Sequence, residues 1–237
     1  MVQRAKSNTS TVASAAERKT VAAVTQPKVL ITGFDAFGGD AINPSWLAAK
    51  TLHGHVILGH RVAAAQLPTV FDESLQRLRT LLKQHRPALM ICVGQAGGRT
   101  ALSLERVAIN VNDARIADNA GAQPVDTQVV PDGPAAYFST LPIKAMLLAL
   151  QREGIPAEVS QTAGTFVCNH VFYGLMHLLA TERGFKRSRG GFIHVPWLPE
   201  QGTPSMPLAD ITLGLRLAVH TALATRTDAV AGAGALD

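Results

Sequence analysis

The chain has 237 residues, 47% of them hydrophobic, enough to bury a sizeable core in one domain without requiring two. No run of 18 apolar residues occurs, which argues against a membrane span, and the first 26 residues lack the continuous apolar stretch of a secretory signal, so a cytoplasmic protein is expected. Of the formal charge of +5, Arg4, Lys6, Arg18 and Lys19 against Glu17 put +3 in the tail and leave +2 on the body, an ordinary balance that gives no reason to expect nucleic acid.

Residues 1–26 are rich in Ala, Ser and Thr and read as a disordered extension, with an organellar transit peptide as the alternative; a single α/β domain is expected over 27–237. The fold opens on a buried-strand pattern, Lys28-Val29-Leu30-Ile31-Thr32, that runs into Gly33-Phe34-Asp35-Ala36-Phe37-Gly38-Gly39. Asn43 then caps a helix with Pro44 in its first position. A strand around 61–65 and a helix capped by Thr69, ending near Arg86, precede a second apolar strand, Ala88-Leu89-Met90-Ile91-Cys92-Val93. That strand also ends in glycine, Gly94-Gln95-Ala96-Gly97-Gly98-Arg99, and two strands running into Gly-rich turns mark a crevice at the carboxyl edge of a sheet. Neither turn has G-x-G-x-x-G or a P-loop lysine, so a phosphate cradle is the weaker reading.

From 102 to 111 the residues alternate, with Ser103, Glu105, Val107, Ile109 and Val111 on one face, and a carboxylate among them needs a hydrogen-bonding or cationic partner if buried. A long polar connection to Pro134 follows, then a helix over about 140–152 with Pro142 in its first turn. The Arg183, Lys186, Arg187, Arg189 cluster reads as a solvated loop after a helix. A final helix spans about 207–225. Alternating strands and helices predict a three-layer α/β/α sandwich around a largely parallel, mixed and twisted sheet of the phosphorylase/hydrolase kind.

The chemistry is expected at Ser160-Gln161-Thr162-Ala163-Gly164-Thr165-Phe166-Val167-Cys168-Asn169-His170, a strand and Gly-containing turn feeding an amphipathic helix. Cys168 falls at the N-terminus of that helix, where free N–H groups and the dipole favour a thiolate. At about 100° per residue, His170 is turned roughly 200° from Cys168, and His177 lies about 13 Å along the axis, so neither reaches the sulfur. His194, ending the strand Gly191-Phe192-Ile193-His194, is the better-placed base. With only Cys92 and Cys168, far apart, the cysteines read as reduced thiols. Cys168-x-His170 is too short for a usual zinc pair and has no second pair, so no metal is expected.

Four segments together resemble the pyrrolidone-carboxylate peptidases (pyroglutamyl peptidase I), a family of cysteine peptidases. They are Gly33-Phe34-Asp35-Ala36-Phe37-Gly38-Gly39 with Asn43-Pro44-Ser45, Gly94-Gln95-Ala96-Gly97-Gly98-Arg99 with Glu105-Arg106-Val107-Ala108-Ile109-Asn110 and Asp113-Ala114-Arg115, Thr165-Phe166-Val167-Cys168-Asn169-His170, and Phe192-Ile193-His194-Val195-Pro196. The resemblance covers about 28–224 and implies Cys168 as nucleophile, His194 as base and Glu105 as the group orienting the imidazole. Phe34, Phe37, Asn43, Gln95, Phe166 and Val167 match the family's pyroglutamate pocket, and Arg115 matches a position near its active site with a structural or electrostatic role. Ala36 stands where the family usually has proline. Implied with these are peptide substrates bearing an N-terminal pyroglutamyl residue, no cofactor, and a homotetramer. The rival reading, a nucleotide- or phosphate-binding module using the two Gly-rich turns, predicts binding that does not depend on a thiol. A member keeping the triad with an altered amide substrate is the other alternative.

Overall fold

The computed structural model describes residue 1 and residues 26–234, so the disorder expected of 1–26 concerns residues almost wholly outside the described set. In chain order the elements are β1 (Lys28–Phe34), α1 (Pro44–Thr51), β2 (Val56–Ile57), β3 (His60–Leu67), α2 (Phe71–His85), β4 (Leu89–Gln95), β5 (Leu102–Glu105), β6 (Val107–Ile109), β7 (Ala136–Phe138), α3 (Ile143–Arg152), β8 (Ala157–Ser160), α4 (Val167–Thr181), β9 (Arg189–Val195) and α5 (Leu208–Ala224). Seven strands form one sheet in the order β2-β3-β1-β4-β9-β5-β8. The β3, β1, β4 and β9 neighbours are parallel, whereas β5 runs antiparallel to β9 and parallel to β8. Central strands buried on both faces read as continuous apolar runs, which is why Leu89, Met90, Ile91, Cys92 and Val93 are all solvent-free.

One face of the sheet, through Ile91, Val93, Leu104 and Val195, packs under α1, α3 and α5; the other, through Met90, Cys92 and Phe192, packs under α2 and α4. The expected three layers and largely parallel sheet are therefore present. Among the described residues no helix is long and apolar enough to cross a membrane.

Local chemistry fixes the element ends. Asn43 Oδ1 accepts from the Ser45 N–H at 3.1 Å with Pro44 in the first position of α1, as expected. The α2 cap differs: Thr69 bonds Asp35, and the Phe71 N–H instead donates to Asp118 Oδ2 at 3.0 Å, a partner 47 positions away that no local pattern reveals. The single alternating strand expected over 102–111 is broken at Arg106, whose N–H donates to Ser160 O and whose carbonyl accepts from Ser139 N; β5 stays in the main sheet and β6 pairs with β7. The helix expected from Thr140 begins at Ile143, because Thr140 Oγ1 is taken up by the Gly190 backbone. Within the basic cluster Arg183, Lys186 and Arg187 are exposed, but Arg189 turns inward and its guanidinium caps the last carbonyls of α5 at Ala222 and Thr225.

The amphipathic character expected of α4 gives way to burial around most of its circumference. Its outer side is covered by α2 and by the β6–β7 hairpin. The Leu75 side chain lies where a Cβ on Gly174 would stand, 2.3 Å away, and that absent carbon lets α2 and α4 approach closely.

Candidate active site

Cys168 is the second residue of α4. Phe166 is extended at the N-cap, no side chain among the described residues caps the helix, and its first backbone bond is His170 N–H to Phe166 O at 3.1 Å. The N–H groups of Val167, Cys168 and Asn169 are thus left without intrahelical acceptors, converging beside the sulfur. Asn169 secures this turn from below, donating to Ile109 O and Val111 O and accepting from Ile109 N.

The sulfur rests on β4 at Gly94: a Cβ there would stand 2.7 Å from Cys168 Sγ and 2.8 Å from the Phe192 ring. Gly94 is paired in parallel register with His194 on β9. Paired residues on strands about 4.8 Å apart point their side chains to the same face, so the imidazole and the sulfur share one side of the sheet. The His194 ring rests against Phe192, centroids 4.8 Å apart.

His194 Nδ1 lies 2.7 Å from Glu105 Oε1. An ionised carboxylate only accepts, so the proton sits on Nδ1 and Nε2 keeps the lone pair that a base needs. Glu105 is fully buried, and Arg99 Nη1 donates to the same oxygen at 2.7 Å. Arg99 Nη2 also reaches Thr162 O at 3.2 Å, tying the turn before Cys168 to the Glu105–His194 pair. Burial pushes the Glu105 carboxyl up, but the hydrogen bond from His194, with that of Ser160 and the charge of Arg99, outweighs it and holds the group below the usual carboxylate range. The sequence called for a partner to Glu105 without identifying it; Arg99, six residues earlier and across a Gly-Gly turn, carries no spacing signal.

The sulfur corrects one expectation. Burial pushes the Cys168 thiol up to about 12, the negative charge of Glu105 adds to the rise, and Arg99 only partly opposes it. A helix terminus contributes about 0.3–1 kcal/mol toward the anion, less than the cost of desolvating it. On this balance the thiol form is favoured over the anion. Both cysteines are free, with Cys92 buried.

The two histidines excluded by helix phase are engaged elsewhere. His170 Nδ1 is 3.0 Å from Asn112 Oδ1, and His177 Nδ1 is 3.0 Å from the Tyr137 hydroxyl. Burial holds His170 neutral, its pKa down to about 4.

Of the residues matched to a ring pocket, Phe34 is buried at the end of β1 against Phe192, while Phe37 and Phe166 are half-buried with centroids 6.1 Å apart. Val167 is buried in the first turn of α4. Asn43 is committed to its own loop, donating to Asp35 O at 2.8 Å and accepting from Ser45 N–H and hydroxyl. The Gln95 side chain turns to the other face of the sheet from Gly94, donating to Asp40 and accepting from Gln201. Arg115 is exposed in the long connection, and among the described residues no hydrogen bond or ion pair engages it. That connection is tied down rather than loose: Asn119 donates to Ala36 O at 2.9 Å and to Thr69 O through its N–H, bracing the 33–39 loop.

Because the space above Gly94 is filled by the sulfur, Gly94→Ala is expected to lower kcat about 100-fold, the scale of a misplacement near 1 Å, with folding retained. A kcat within threefold of wild type in the folded variant would show that the sulfur does not depend on that contact.

A family model described as pyroglutamyl peptidase matches residues 27–225. A pyrrolidone-carboxylate peptidase of Cupriavidus taiwanensis is 59% identical over 207 residues, covering 85% of this chain and 95% of that protein. The crystal structure of pyroglutamyl peptidase I from Bacillus amyloliquefaciens superposes with a TM-score of 0.85 at 50% identity, covering 87% of this chain and all of that one. The pyrrolidone carboxyl peptidase of Thermococcus litoralis gives a TM-score of 0.81 at 37% identity over 84% of this chain and 94% of its own.

Proposed function

The chain belongs to the pyroglutamyl peptidase family of cysteine peptidases, and on that premise we propose that Cys168, His194 and Glu105 hydrolyse the amide bond following an N-terminal pyroglutamyl residue of a peptide. The observation that carries the assignment is the sulfur of Cys168 seated on Gly94, in register with His194, whose Nδ1 is held 2.7 Å from Glu105.

His194 Nε2 takes the thiol proton as the sulfur attacks the pyroglutamyl carbonyl, and the unbonded N–H groups of the first turn of α4 receive the oxyanion. Collapse breaks the C–N bond, with the imidazolium giving its proton to the departing amine and leaving a thioester on Cys168. Water, losing a proton to the same imidazole, adds to the thioester. Pyroglutamate departs, and the proton returns to the sulfur. Glu105 keeps the Nδ1 proton in place throughout, and Arg99 holds Glu105 ionised.

Phe37 and Phe166 wall the slot for the flat lactam ring, with Phe34 and Val167 as its floor. Asn43 shapes the loop that carries Phe37, and the main chain at Gln95 faces the ring's polar atoms. Arg115 supplies positive potential at the rim. No cofactor enters the reaction. The proposal extends to a cytoplasmic homotetramer: two free cysteines suit a reducing compartment, and exposed Phe138, Val125 and Ile116 suit contact with a second copy.

A linear glutaminyl terminus carries an ammonium that this slot cannot pair, at a desolvation cost of several kcal/mol in order of magnitude. Release of a fluorogenic amine is therefore expected to favour the pyroglutamyl over the glutaminyl amide by more than about 100-fold in kcat/KM. Equal turnover of the two amides would overturn the assigned substrate.

A further inference from the structure

We propose that His170 is a positioning residue for the lactam slot, acting through Phe71 on the ring of Phe166. The inference rests on the assignment of Phe166 as a wall of that slot.

Four rings run in an unbroken series from the rim of the crevice into the core. Phe37 faces Phe166 at 6.1 Å, Phe166 meets Phe71 edge-on at 5.4 Å and 88°, and Phe71 meets His170 edge-on at 5.4 Å and 87°. Phe71 is thus a crosspiece perpendicular to both neighbours, and its place depends on the two together. Its backbone is fixed separately, by the N–H donated to Asp118.

His170 holds its end of the series by packing and by one tether. It is almost wholly buried, and its Nδ1 donates to Asn112 Oδ1 at 3.0 Å. Asn112 is itself buried and anchored to Thr127 and Gln128. A histidine here supplies both the ring that Phe71 rests on and a donor that adds to stability. Among the described residues the other nitrogen, Nε2, has no hydrogen-bond partner and lies 3.9 Å from the exposed Asp72 carboxylate. Neutrality of the buried imidazole, noted above, keeps Nδ1–H as its single donor.

If the imidazole is removed, Phe71 relaxes into the space it leaves, Phe166 follows, and the slot widens. The triad lies on β9, β5 and the other side of α4 from His170, so the chemical step is spared.

His170→Asn separates the two functions, since its amide nitrogen replaces Nδ1 toward Asn112 while the ring is lost. The KM for a pyroglutamyl amide and the Ki of 2-pyrrolidinone, the ring without a scissile bond, are each expected to rise about three- to tenfold, the scale of one aromatic pair, with kcat within about twofold. His170→Phe restores a ring and should recover KM and Ki at some cost in Tm. A purely structural role would instead lower Tm and the active fraction and leave KM and Ki where they are; that result, or failure of His170→Phe to recover them, overturns the inference. Should His170→Asn not fold, Phe71→Leu probes the same series from its middle, and unchanged KM and Ki there would be equally decisive. Wild-type protein that turns over no pyroglutamyl amide would remove the substrate assignment itself, a separate failure visible before any His170 variant is assayed.

Discussion

Replacing Cys168 with serine is expected to lower kcat/KM on a pyroglutamyl amide by about 10⁴-fold or more, with the secondary structure and Tm little changed. The side chain differs by one atom, so packing against Gly94 and Phe192 survives. Nucleophilicity does not: the serine oxygen holds its proton far more tightly than sulfur, and His194 is poised for a thiol. Removing one member of such a unit costs nearly as much as removing all of it. Turnover by Cys168→Ser within tenfold of wild type would take the nucleophile away from this sulfur. The same residue gives a pH result. Because burial pushes the thiol up to about 12, the rate of alkylation by iodoacetamide in the free protein should climb steadily from pH 6 to pH 9 as the thiolate fraction grows. A plateau reached on the acidic side of neutrality would mean a preformed thiolate and imidazolium pair instead.

Cys168 and His194 stood out as candidates because each position follows a local rule. Helix phase removes His170 and His177, and a strand-end histidine presents itself at the carboxyl edge of a parallel sheet; the resemblance then paired the two. What periodicity cannot supply is register between distant strands. Glu105 reaches His194 because β5 runs against β9, placing Ser103 opposite His194 and Glu105 beyond it on the same face. Nothing in the 102–111 alternation indicates that direction, nor that the chain leaves the sheet at Arg106. The same limit hid Asp118 as the cap of α2 and Arg99 as the second partner of Glu105, both set by contacts made only after folding. The dipole reasoning at Cys168 had the right direction but omitted the larger effect, since burial of a thiol is a tertiary property.

Glu105→Gln carries the second large expectation: kcat should fall by about 10³- to 10⁴-fold while KM changes little. Glutamine matches the shape of glutamate, yet its amide offers a donor where the carboxylate only accepts. With the NH₂ group turned toward the imidazole, Nδ1 must accept, and the ring proton moves to Nε2, the nitrogen that has to receive the thiol proton. With the amide oxygen turned inward the tautomer is kept, but the imidazolium formed during attack loses its countercharge, and Arg99, 26% exposed and 2.7 Å from the former carboxylate oxygen, now repels it. Either orientation disables the base, so the loss should appear in kcat. Stability gives an independent reading with a definite sign. The Glu105 carboxyl lies below its usual range in the folded chain, so its contribution is complete above the unfolded pKa, near 4.3, and is lost as pH falls through the folded value. Urea unfolding should therefore show the difference between wild type and Glu105→Gln shifting toward the variant as pH drops from 7 into that acidic range. Wild-type kcat in the variant would leave Glu105 a buried anchor for Arg99 and the turn at Thr162, with the imidazole oriented by the β-sheet and Phe192 alone.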